Sequence, residues 1–209
     1  MARFTIDLPA EHATLDGMPF NGEPTDDELT FATERLTVRP IAPDDAEDAY
    51  ALLNHPALEF LDPNFIPETA KAYAEFAERA QTRTDNDEQF RLYQWALRLN
   101  GSGEMVGLMS ADLRCSDRLR LQAAPVEVRE METTAYIHPD HQHNGYAPEA
   151  DAAISAFIEP RFEVNRRVAQ IRHDNTGVQS KVKEEGAEKL PGQTQHGYET
   201  WVLYDGVDN

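Results

Sequence analysis

The chain has 209 residues, which is enough for one domain with a sizeable core but short for two full domains. Acidic residues outnumber basic ones by 38 to 19, and the formal net charge of −19 argues against broad binding to nucleic acid or to an anionic membrane surface. Apolar residues make up 40% of the chain, which argues against wholesale disorder, and no apolar run approaches the roughly 20 residues that span a bilayer.

Turn formers and acids dominate the first 32 residues, where periodic apolar residues are few. This composition predicts an N-terminal extension over residues 1–32 that is partly ordered at best. The alternating segment Arg35–Pro40 then predicts a first strand. Pro43 and the acids after it suit the first turn of a helix, because the helix dipole favours negative charge there. We therefore expect the main domain over residues 33–209.

Helical and extended patterns alternate along the rest of the chain. Further helices are predicted from about Glu68 to Thr82, from Pro148 to Phe157 or slightly beyond, and from about Asn175 to Glu185. Strands are predicted at 94–99 and 105–109 as a hairpin, at 132–137, at 167–171 and at 198–204. Residues 113–128 are polar and are expected to be irregular. This order predicts one mixed α/β domain.

The segment from Glu132 to Ala150 contains the pattern most typical of a binding site. A strand runs into a short loop, and the loop opens a helix in which we place Pro148 at position N1. The free N–H groups of the loop and the first turn then point outward, and the helix dipole adds roughly half a positive charge. Such a helix start binds phosphate or pyrophosphate, and Gly145 and Ala147 let the backbone approach the ligand closely.

Residues 142–147, Gln-His-Asn-Gly-Tyr-Ala, fit the pattern Q/R-x-x-G-x-G/A. This pattern resembles the acetyl-CoA pyrophosphate loop of the GNAT N-acetyltransferase superfamily. On its own the pattern is weak, since average residue usage produces it at roughly one position in a thousand. The wider sequence around it makes the resemblance far more specific.

Several other segments are similar to the RimJ/RimL-like subgroup of that superfamily. Residues 34–46 resemble its opening, and residues 139–150 resemble its proline-to-helix segment. Asn165-Arg166-Arg167-Val168 is similar to its approach to the next strand, and Asn175 precedes Gly186 by the family's spacing of eleven residues. The resemblance covers about residues 33–204. It implies a GNAT fold, in which a mixed, mostly antiparallel sheet is flanked by helices and splayed where acetyl-CoA enters.

The resemblance also implies a role for each matching position. Tyr136, Ile137 and His138 would hold the pantetheine arm and the thioester carbonyl through main-chain groups at the splayed strand end. Asn175 would face the pantetheine arm near the sulfur. Glu132 falls where the subgroup often has a carboxylate and is the candidate base. The pyrophosphate would be held by backbone N–H groups of six consecutive residues: Gln142, His143, Asn144, Gly145, Tyr146 and Ala147.

The implied reaction transfers an acetyl group from acetyl-CoA, the cosubstrate, to a primary amine by direct attack in a ternary complex. The acceptor would be a protein N-terminal α-amine or a small cationic amine. A positioned base typically contributes about 10²–10⁴-fold, and a thiol with an ordinary pKa of about 8.5 leaves readily. The alternative is a non-catalytic acyl-CoA-binding or interaction module with the same fold. A homodimer is left open.

The sequence departs from the family pattern at four positions. Val178 replaces the Ser or Ala that usually follows the asparagine, and Val182 stands where other GNAT branches place a tyrosine acid. The general acid is therefore unassigned, and Ser180 is the candidate. Ala187 replaces the usual Phe after the helix-ending glycine. Pro148 replaces a threonine, which removes one phosphate donor.

Alternatives stay open for three of these sites. The cluster of His138, His141 and His143 could suggest zinc, but no cysteine lies nearby and the spacing matches no known ligand pattern, so we predict no metal. Glu132 could be a half-exposed strand carboxylate without a catalytic role. Asn175 could serve only as a helix N-cap.

The acidity itself has two interpretations. Only four of the 19 basic residues are lysine, and a carboxylate-rich, Lys-poor surface suits a cytoplasm rich in salt, where the screening length at about 1 M is about 3 Å. The other interpretation is an ordinary acidic protein. The start of the chain, Met-Ala-Arg-Phe-Thr-Ile-Asp, lacks an apolar signal core, so we expect a cytoplasmic protein. Cys115 is the single cysteine, which excludes an intrachain disulfide and a multi-cysteine zinc site.

Overall fold

An eight-stranded sheet organises the computed structural model, which describes residues 20, 22–58, 66–83, 85–86, 90–116, 128–195 and 197–205. The strands are β1 Phe31–Ala32, β2 Leu36–Pro40, β3 Phe90–Leu99, β4 Met105–Ser116, β5 Val128–Ile137, β6 Arg166–Arg172, β7 Glu188–Gln195 and β8 Tyr198–Asp205. The helices are α1 Ala46–Leu53, α2 Ala70–Thr82, α3 Tyr146–Phe162 and α4 Thr176–Glu184, with short 3₁₀ turns at Pro43–Asp45 and Pro139–His141.

The strand order is β1-β2-β3-β4-β5-β6-β8-β7, and each neighbouring pair is antiparallel except β5 and β6, which run parallel. A parallel pair requires a crossover, and α3 supplies it between these two strands. The predicted mixed, mostly antiparallel sheet flanked by helices is confirmed.

Helices cover both faces of the sheet. On one face α3 packs Ala150, Ile154 and Ile158 into the largest apolar cluster, together with Trp95 and Met131 of the sheet. On the other face α1 and α2 pack over β3 and β4, and a smaller cluster joins α4 to β6 and β8. The central strands β3 and β4 are therefore covered by apolar residues on both faces. Among the helices in the described ranges, none is long and apolar enough to cross a bilayer.

The described part of the N-terminal segment packs into the same core. Phe20 and Leu29 are 4% and 2% exposed, and the indole N–H of Trp95 donates to the Leu29 carbonyl oxygen at 2.8 Å. Glu23 accepts a hydrogen bond from the Tyr93 hydroxyl at 2.9 Å and pairs with Arg91 at 2.6 Å. Residues 1–19 and 21 lie outside the described residues, and the division of the chain at residue 33 stays a prediction.

Leu29→Ala tests whether this segment belongs to the cooperative unit. We expect the free energy of unfolding to fall by at least about 2 kcal/mol, because the change leaves a cavity in a packed core. Urea unfolding measures it, with Asp27→Ala, an exposed neighbour, as the control. Equal midpoints for the two variants would show that the segment unfolds separately.

Three predictions about elements are corrected. Residues 113–116 belong to β4 and are not irregular, while 117–127 lie outside the described residues. β1 and β7 were not predicted. α3 begins at Tyr146, so Pro148 is its third residue and not its first. Because the first four N–H groups of a helix have no intrahelical acceptor, proline at the third position costs no hydrogen bond.

Candidate active site

A cleft opens where β5 and β6 separate. Their last paired residues are Glu132 and Val168. Beyond this point β5 stays paired with β4 up to Ile137, and β6 stays paired with β8 up to Arg172. Over the described residues, the edges of β5 and β6 that face each other therefore have no strand pairing beyond Glu132 and Val168. This is the splay that the resemblance implied.

The end of β5 presents only part of its main chain to this cleft. The N–H of His138 donates to Val106 on β4 at 2.9 Å, so it points away from the cleft. Since main-chain groups alternate along a strand, the N–H of Ile137 points to the open edge. The side-chain amide of Gln142 donates to the Ile137 carbonyl oxygen at 3.2 Å on that edge. Of the three predicted strand-end residues, Ile137 thus has the main-chain N–H best directed at a ligand.

The loop before α3 turns sharply into the helix and leaves main-chain donors exposed. His143 and Gly145 adopt left-handed backbone angles, with φ of 63° and 79°, and Gly145 is the N-cap of α3. The Asn144 side chain donates to the carbonyl oxygens of His141 and Gln142 at 3.1 and 3.2 Å. The N–H groups of Tyr146 and Ala147 belong to the first turn, where no intrahelical acceptor exists. This exposed helix start therefore offers several donors and the positive end of the helix dipole.

Arg35 and Glu149, which the sequence analysis did not single out, lie directly beside this loop. The Arg35 side chain pairs with Glu149 at 2.6 Å and donates to the Asn144 carbonyl oxygen at 2.7 Å. Both residues lie within segments that resemble the RimJ/RimL-like subgroup, and this was the one feature of the sequence that could have pointed to them. Their contact joins the start of β2 to the start of α3 across the loop.

Glu132 lies at the apex of the cleft and is 7% exposed. It is opposite Asp112 on β4, and Arg114 lies 3.4 Å from its carboxylate. Burial, together with the charge of Asp112, raises the pKa of Glu132 to about 7, although Arg114 opposes the shift. A carboxyl with this pKa is partly ionised near neutral pH and can both take up and release a proton. This burial excludes the alternative that Glu132 is a half-exposed carboxylate on the strand.

Three carboxyl groups in this part of the sheet lie close to the guanidinium of Arg114. Arg114 lies 3.5 Å from Asp112 and 4.0 Å from Glu130, in addition to its contact with Glu132. Burial also raises the pKa of Asp112, which Arg114 lowers only in part. Three carboxyl groups are therefore clustered beside the cleft apex, where ionisation of one raises the cost of ionising the next. Sequence reasoning missed Asp112 and Glu130 because their register opposite Glu132 and Arg114 depends on strand pairing.

The residues predicted on the helix after β6 are spread over its surface. Asn175 caps α4, and its side-chain oxygen accepts from the Val178 N–H at 3.3 Å. Val182 is buried against β6 and β8, whereas Val178 and Ser180 are exposed. Asn175 therefore does cap the helix. Its side-chain oxygen makes the capping bond, so a contact with the pantetheine arm would have to come from its side-chain NH2 group. Of the two predicted catalytic residues, Glu132 lies on β5 and Ser180 lies on α4.

Three histidine rings, those of His55, His138 and His141, contact one another edge to face. The rings of His55 and His138 are 5.2 Å apart, and those of His138 and His141 are 5.8 Å apart. His141 also contacts Glu104 at 3.1 Å, and His143 is exposed on the loop. Within the described part of the chain, no group of three or more His, Cys, Asp or Glu side chains is arranged to hold a metal ion.

A family model described as an acetyltransferase (GNAT) domain matches residues 35–188. The chain belongs to the GNAT acetyltransferase family. The matched range includes the cleft, the loop before α3 and α4. Family membership confirms the predicted fold and identifies the chain as an acetyltransferase that uses an acyl-CoA donor.

Solved structures share this fold at low identity. A Vibrio cholerae protein provisionally described as a ribosomal-protein-serine acetyltransferase has a TM-score of 0.61 at 17% identity, covering 86% of this chain and 98% of that chain. The GNAT domain of S. lividans PAT has a TM-score of 0.57 at 17% identity, covering 88% and 99%. Apo FdhC, described as a nucleotide-linked sugar GNAT, has a TM-score of 0.58 at 15% identity, covering 83% and 88%.

A search of curated proteins finds no significant match. The structural neighbours are named for different acceptors, a ribosomal protein in one case and a nucleotide-linked sugar in another. The shared fold therefore does not by itself determine which acceptor this GNAT acetyltransferase uses.

Proposed function

We propose that this GNAT acetyltransferase transfers an acetyl group from acetyl-CoA to a cationic primary amine, either a basic protein N-terminus or a small polyamine-like molecule. The observation that carries the proposal is Glu132, a buried carboxyl with a pKa of about 7 at the apex of the cleft. A primary amine is an ammonium ion at neutral pH and must lose a proton before it can attack. Glu132 is a base suited to that step.

The acetyl-CoA pyrophosphate would bind to the loop of residues 142–147. Main-chain N–H groups and a helix dipole attract an anion at contact distance without requiring basic side chains. This matters in a chain with a net charge of −19, because long-range repulsion of an anionic cosubstrate has to be offset locally. The pantetheine arm would extend along the open edge of β5 towards Tyr136, Ile137 and His138, with Asn175 on the α4 side.

The reaction would proceed by direct attack. Glu132 accepts a proton from the bound ammonium, and the neutral amine nitrogen attacks the thioester carbonyl carbon. The Ile137 N–H, which points to the open edge, would donate to the oxyanion of the tetrahedral intermediate. The carbon–sulfur bond then breaks, and the acetylated nitrogen releases its remaining extra proton to solvent to give the neutral amide. The CoA thiolate takes a proton from solvent or from Ser180, whose hydroxyl then regains a proton from solvent.

The charge around Glu132 supports a cationic acceptor. The carboxyl groups of Asp112, Glu130 and Glu132 all lie within 4.0 Å of the Arg114 guanidinium. A cationic acceptor would lower the electrostatic cost of ionising these carboxylates and would itself be attracted to them. The resemblance to the RimJ/RimL-like subgroup favours a protein N-terminus among the cationic acceptors.

An amine panel tests the proposal. We expect kcat/KM to be at least about tenfold higher for 1,5-diaminopentane than for 1-aminopentane in low salt, and higher for a basic than for a neutral N-terminal peptide. High salt should reduce the difference, since screening weakens charge attraction. The measurement is thiol release at varied amine concentration.

Two outcomes of the panel would contradict the proposal. Equal kcat/KM for 1,5-diaminopentane and 1-aminopentane, and for the basic and the neutral peptide, in low salt would contradict an acceptor that carries positive charge besides the reacting ammonium. Tight binding of acetyl-CoA with no turnover for any amine would instead favour the non-catalytic module. Comparison of the two peptides with the diamine separates a protein acceptor from a small one.

A further inference from the structure

We propose that Arg35 and Glu149 act as one positioning unit, which holds the loop of residues 142–147 in its anion-binding conformation. The inference rests on the proposed binding of the acetyl-CoA pyrophosphate to that loop. Arg35 precedes β2 and Glu149 lies in the first turns of α3, so the pair connects two elements on either side of the loop.

Both carboxylate oxygens of Glu149 have hydrogen-bond partners in the segment around Arg35. The Arg35 Nε donates to one Glu149 carboxylate oxygen at 2.7 Å, and its Nη2 lies 2.6 Å from the same oxygen. The other carboxylate oxygen accepts from the Arg35 backbone N–H at 2.9 Å and from the Thr33 hydroxyl. Glu149 is therefore held by both the side chain and the main chain of Arg35, and its own position is fixed.

The guanidinium uses a further donor on the loop itself. Arg35 Nη1 donates to the Asn144 carbonyl oxygen at 2.7 Å, and the guanidinium lies 4.9 Å from the centre of the Tyr146 ring. In a planar trans peptide the C=O and the following N–H point in opposite directions. Because the Asn144 carbonyl points at Arg35, the Gly145 N–H must point away from it, to the other side of the loop.

This orientation requires support from outside the loop. His143 is not a glycine but adopts a left-handed φ of 63°, an unfavourable conformation for most residues. Glycine at position 145 places few steric limits on φ, so the peptide group between Asn144 and Gly145 can rotate unless a neighbour holds it. A Cβ built at Gly145 would lie 3.4 Å from the Arg35 guanidinium, so the arginine also packs against the turn.

The pairing also argues against direct binding of phosphate by Arg35. The Glu149 carboxylate neutralises the guanidinium at bonding distance, so the pair adds little net positive charge to the site. Its effect on an anion would act through the direction of the loop N–H groups. A positioning role and a direct contact therefore predict different results when Glu149 alone is changed.

Isothermal titration of CoA into Arg35→Met, Glu149→Gln and the double variant distinguishes these roles. We expect each single variant to weaken CoA binding about tenfold, because the loop must then be ordered on binding. The double variant should be no weaker than either single variant, as expected of one unit. At saturating acetyl-CoA, kcat should be unchanged. With S-acetylpantetheine, a donor that lacks the pyrophosphate, kcat/KM should also be unchanged.

Arg79→Met on α2 is the matched control. Arg79 is 41% exposed and pairs with Asp85 at 3.1 Å, whereas Arg35 is 44% exposed. Arg35→Lys serves as a milder variant that keeps the charge but not the two-sided contact, and thermal melting checks the fold of each variant. We expect Arg35→Lys to recover less than half of the lost binding free energy, and Arg79→Met to bind CoA as the wild type does.

Several results would overturn the inference. Weaker binding in Arg35→Met but not in Glu149→Gln would mean that the guanidinium contacts phosphate directly. An equal loss with CoA and with S-acetylpantetheine would indicate general damage to the fold. Wild-type affinity in both single variants would exclude any role for the pair. Failure of the wild type itself to bind CoA would instead overturn the proposed function and the inference with it.

Discussion

Glu132→Gln is expected to lower kcat by about 10²–10⁴-fold at pH 8 with a cationic amine acceptor. Glutamine keeps the shape of the side chain and can still accept a hydrogen bond from Arg114, but it cannot take a proton from the ammonium. The change therefore removes the base and leaves the cleft intact. Steady-state kinetics at saturating acetyl-CoA measure the fall in kcat.

The pH dependence of kcat gives the same test a second readout. Since the pKa of Glu132 is raised to about 7, the wild-type kcat should rise with pH below about 7 and level off above it. The glutamine variant should lose this inflection. A wild-type profile that is flat between pH 5 and 8 would exclude Glu132 as the base.

Stability provides the control against simple unfolding. The folded pKa of Glu132 lies above the ordinary value of 4.5, so the folded state retains the proton as pH rises from 4.5 to about 7. Ionisation of Glu132 therefore costs stability, and the cost is complete above pH 7, at up to about 3 kcal/mol. We expect Glu132→Gln to be more stable than the wild type at pH 8 and equal to it near pH 4.

Glu199→Gln is the matched variant. Glu199 also lies on a sheet strand, has a side chain that is 16% exposed, and pairs with Lys189 at 2.6 Å. We expect its kcat to stay within about threefold of the wild type and its stability at pH 8 not to rise. A comparable loss of kcat in both variants would mean that Glu132 acts through the fold.

Local features of the chain explain which predictions succeeded. The loop before α3 could be predicted because a strand end, a glycine and a helix start are adjacent in sequence and together suffice to direct N–H groups outward. The start of α3 was placed two residues late because proline is tolerated throughout the first turn, so Pro148 does not mark one position.

The missed strands have a different cause. β7 contains Pro191 and Gly192, and its pairing with β8 shifts register between Lys189 and Thr194. Such an edge strand exists because β8 lies beside it, and its own composition gives no strand pattern. We predicted residues 113–128 to be irregular because the segment is polar, yet in β4 the polar Asp112 and Arg114 alternate with Leu113, which packs in the core.

The chemistry of the site depends on contacts that are distant in sequence. Glu132 could be selected from the resemblance, but its pKa of about 7 arises from burial and from Asp112, which strand pairing places opposite it. The pairing of Arg35 with Glu149 spans 114 positions of sequence. Neither contact leaves a local pattern, so neither could be derived without the fold.

Asp45→Asn is expected to lower the free energy of unfolding by about 3–5 kcal/mol at pH 7. Asp45 is fully buried before α1, where it accepts hydrogen bonds from Arg39 at 2.7 and 2.8 Å, from Arg98 at 2.6 Å and from the Ala42 N–H at 2.9 Å. Asparagine leaves the two guanidinium groups facing a neutral side chain. Part of the cost therefore comes from positive charge that loses its partner.

The pH dependence of this effect follows from the sign of the pKa shift. Burial alone would raise the pKa of Asp45, but the hydrogen bonds from Arg39, Arg98 and Ala42 outweigh it and hold the pKa below 3.8. The carboxylate therefore contributes stability above pH 3.8, and that stability is lost as pH falls through the folded pKa. The difference between wild type and variant should be full at pH 7 and should shrink as the pH falls below 3.8.

Asp44→Asn makes the comparison specific, because Asp44 is adjacent, exposed and in the same 3₁₀ turn. We expect it to change stability by less than about 0.5 kcal/mol. Urea unfolding at pH 7, in low and in high salt, measures both variants. Salt should leave the Asp45 effect largely intact, since a buried network is screened far less than surface charges are. Equal midpoints for the two variants would show that Asp45 and its arginines contribute no more than a surface ion pair.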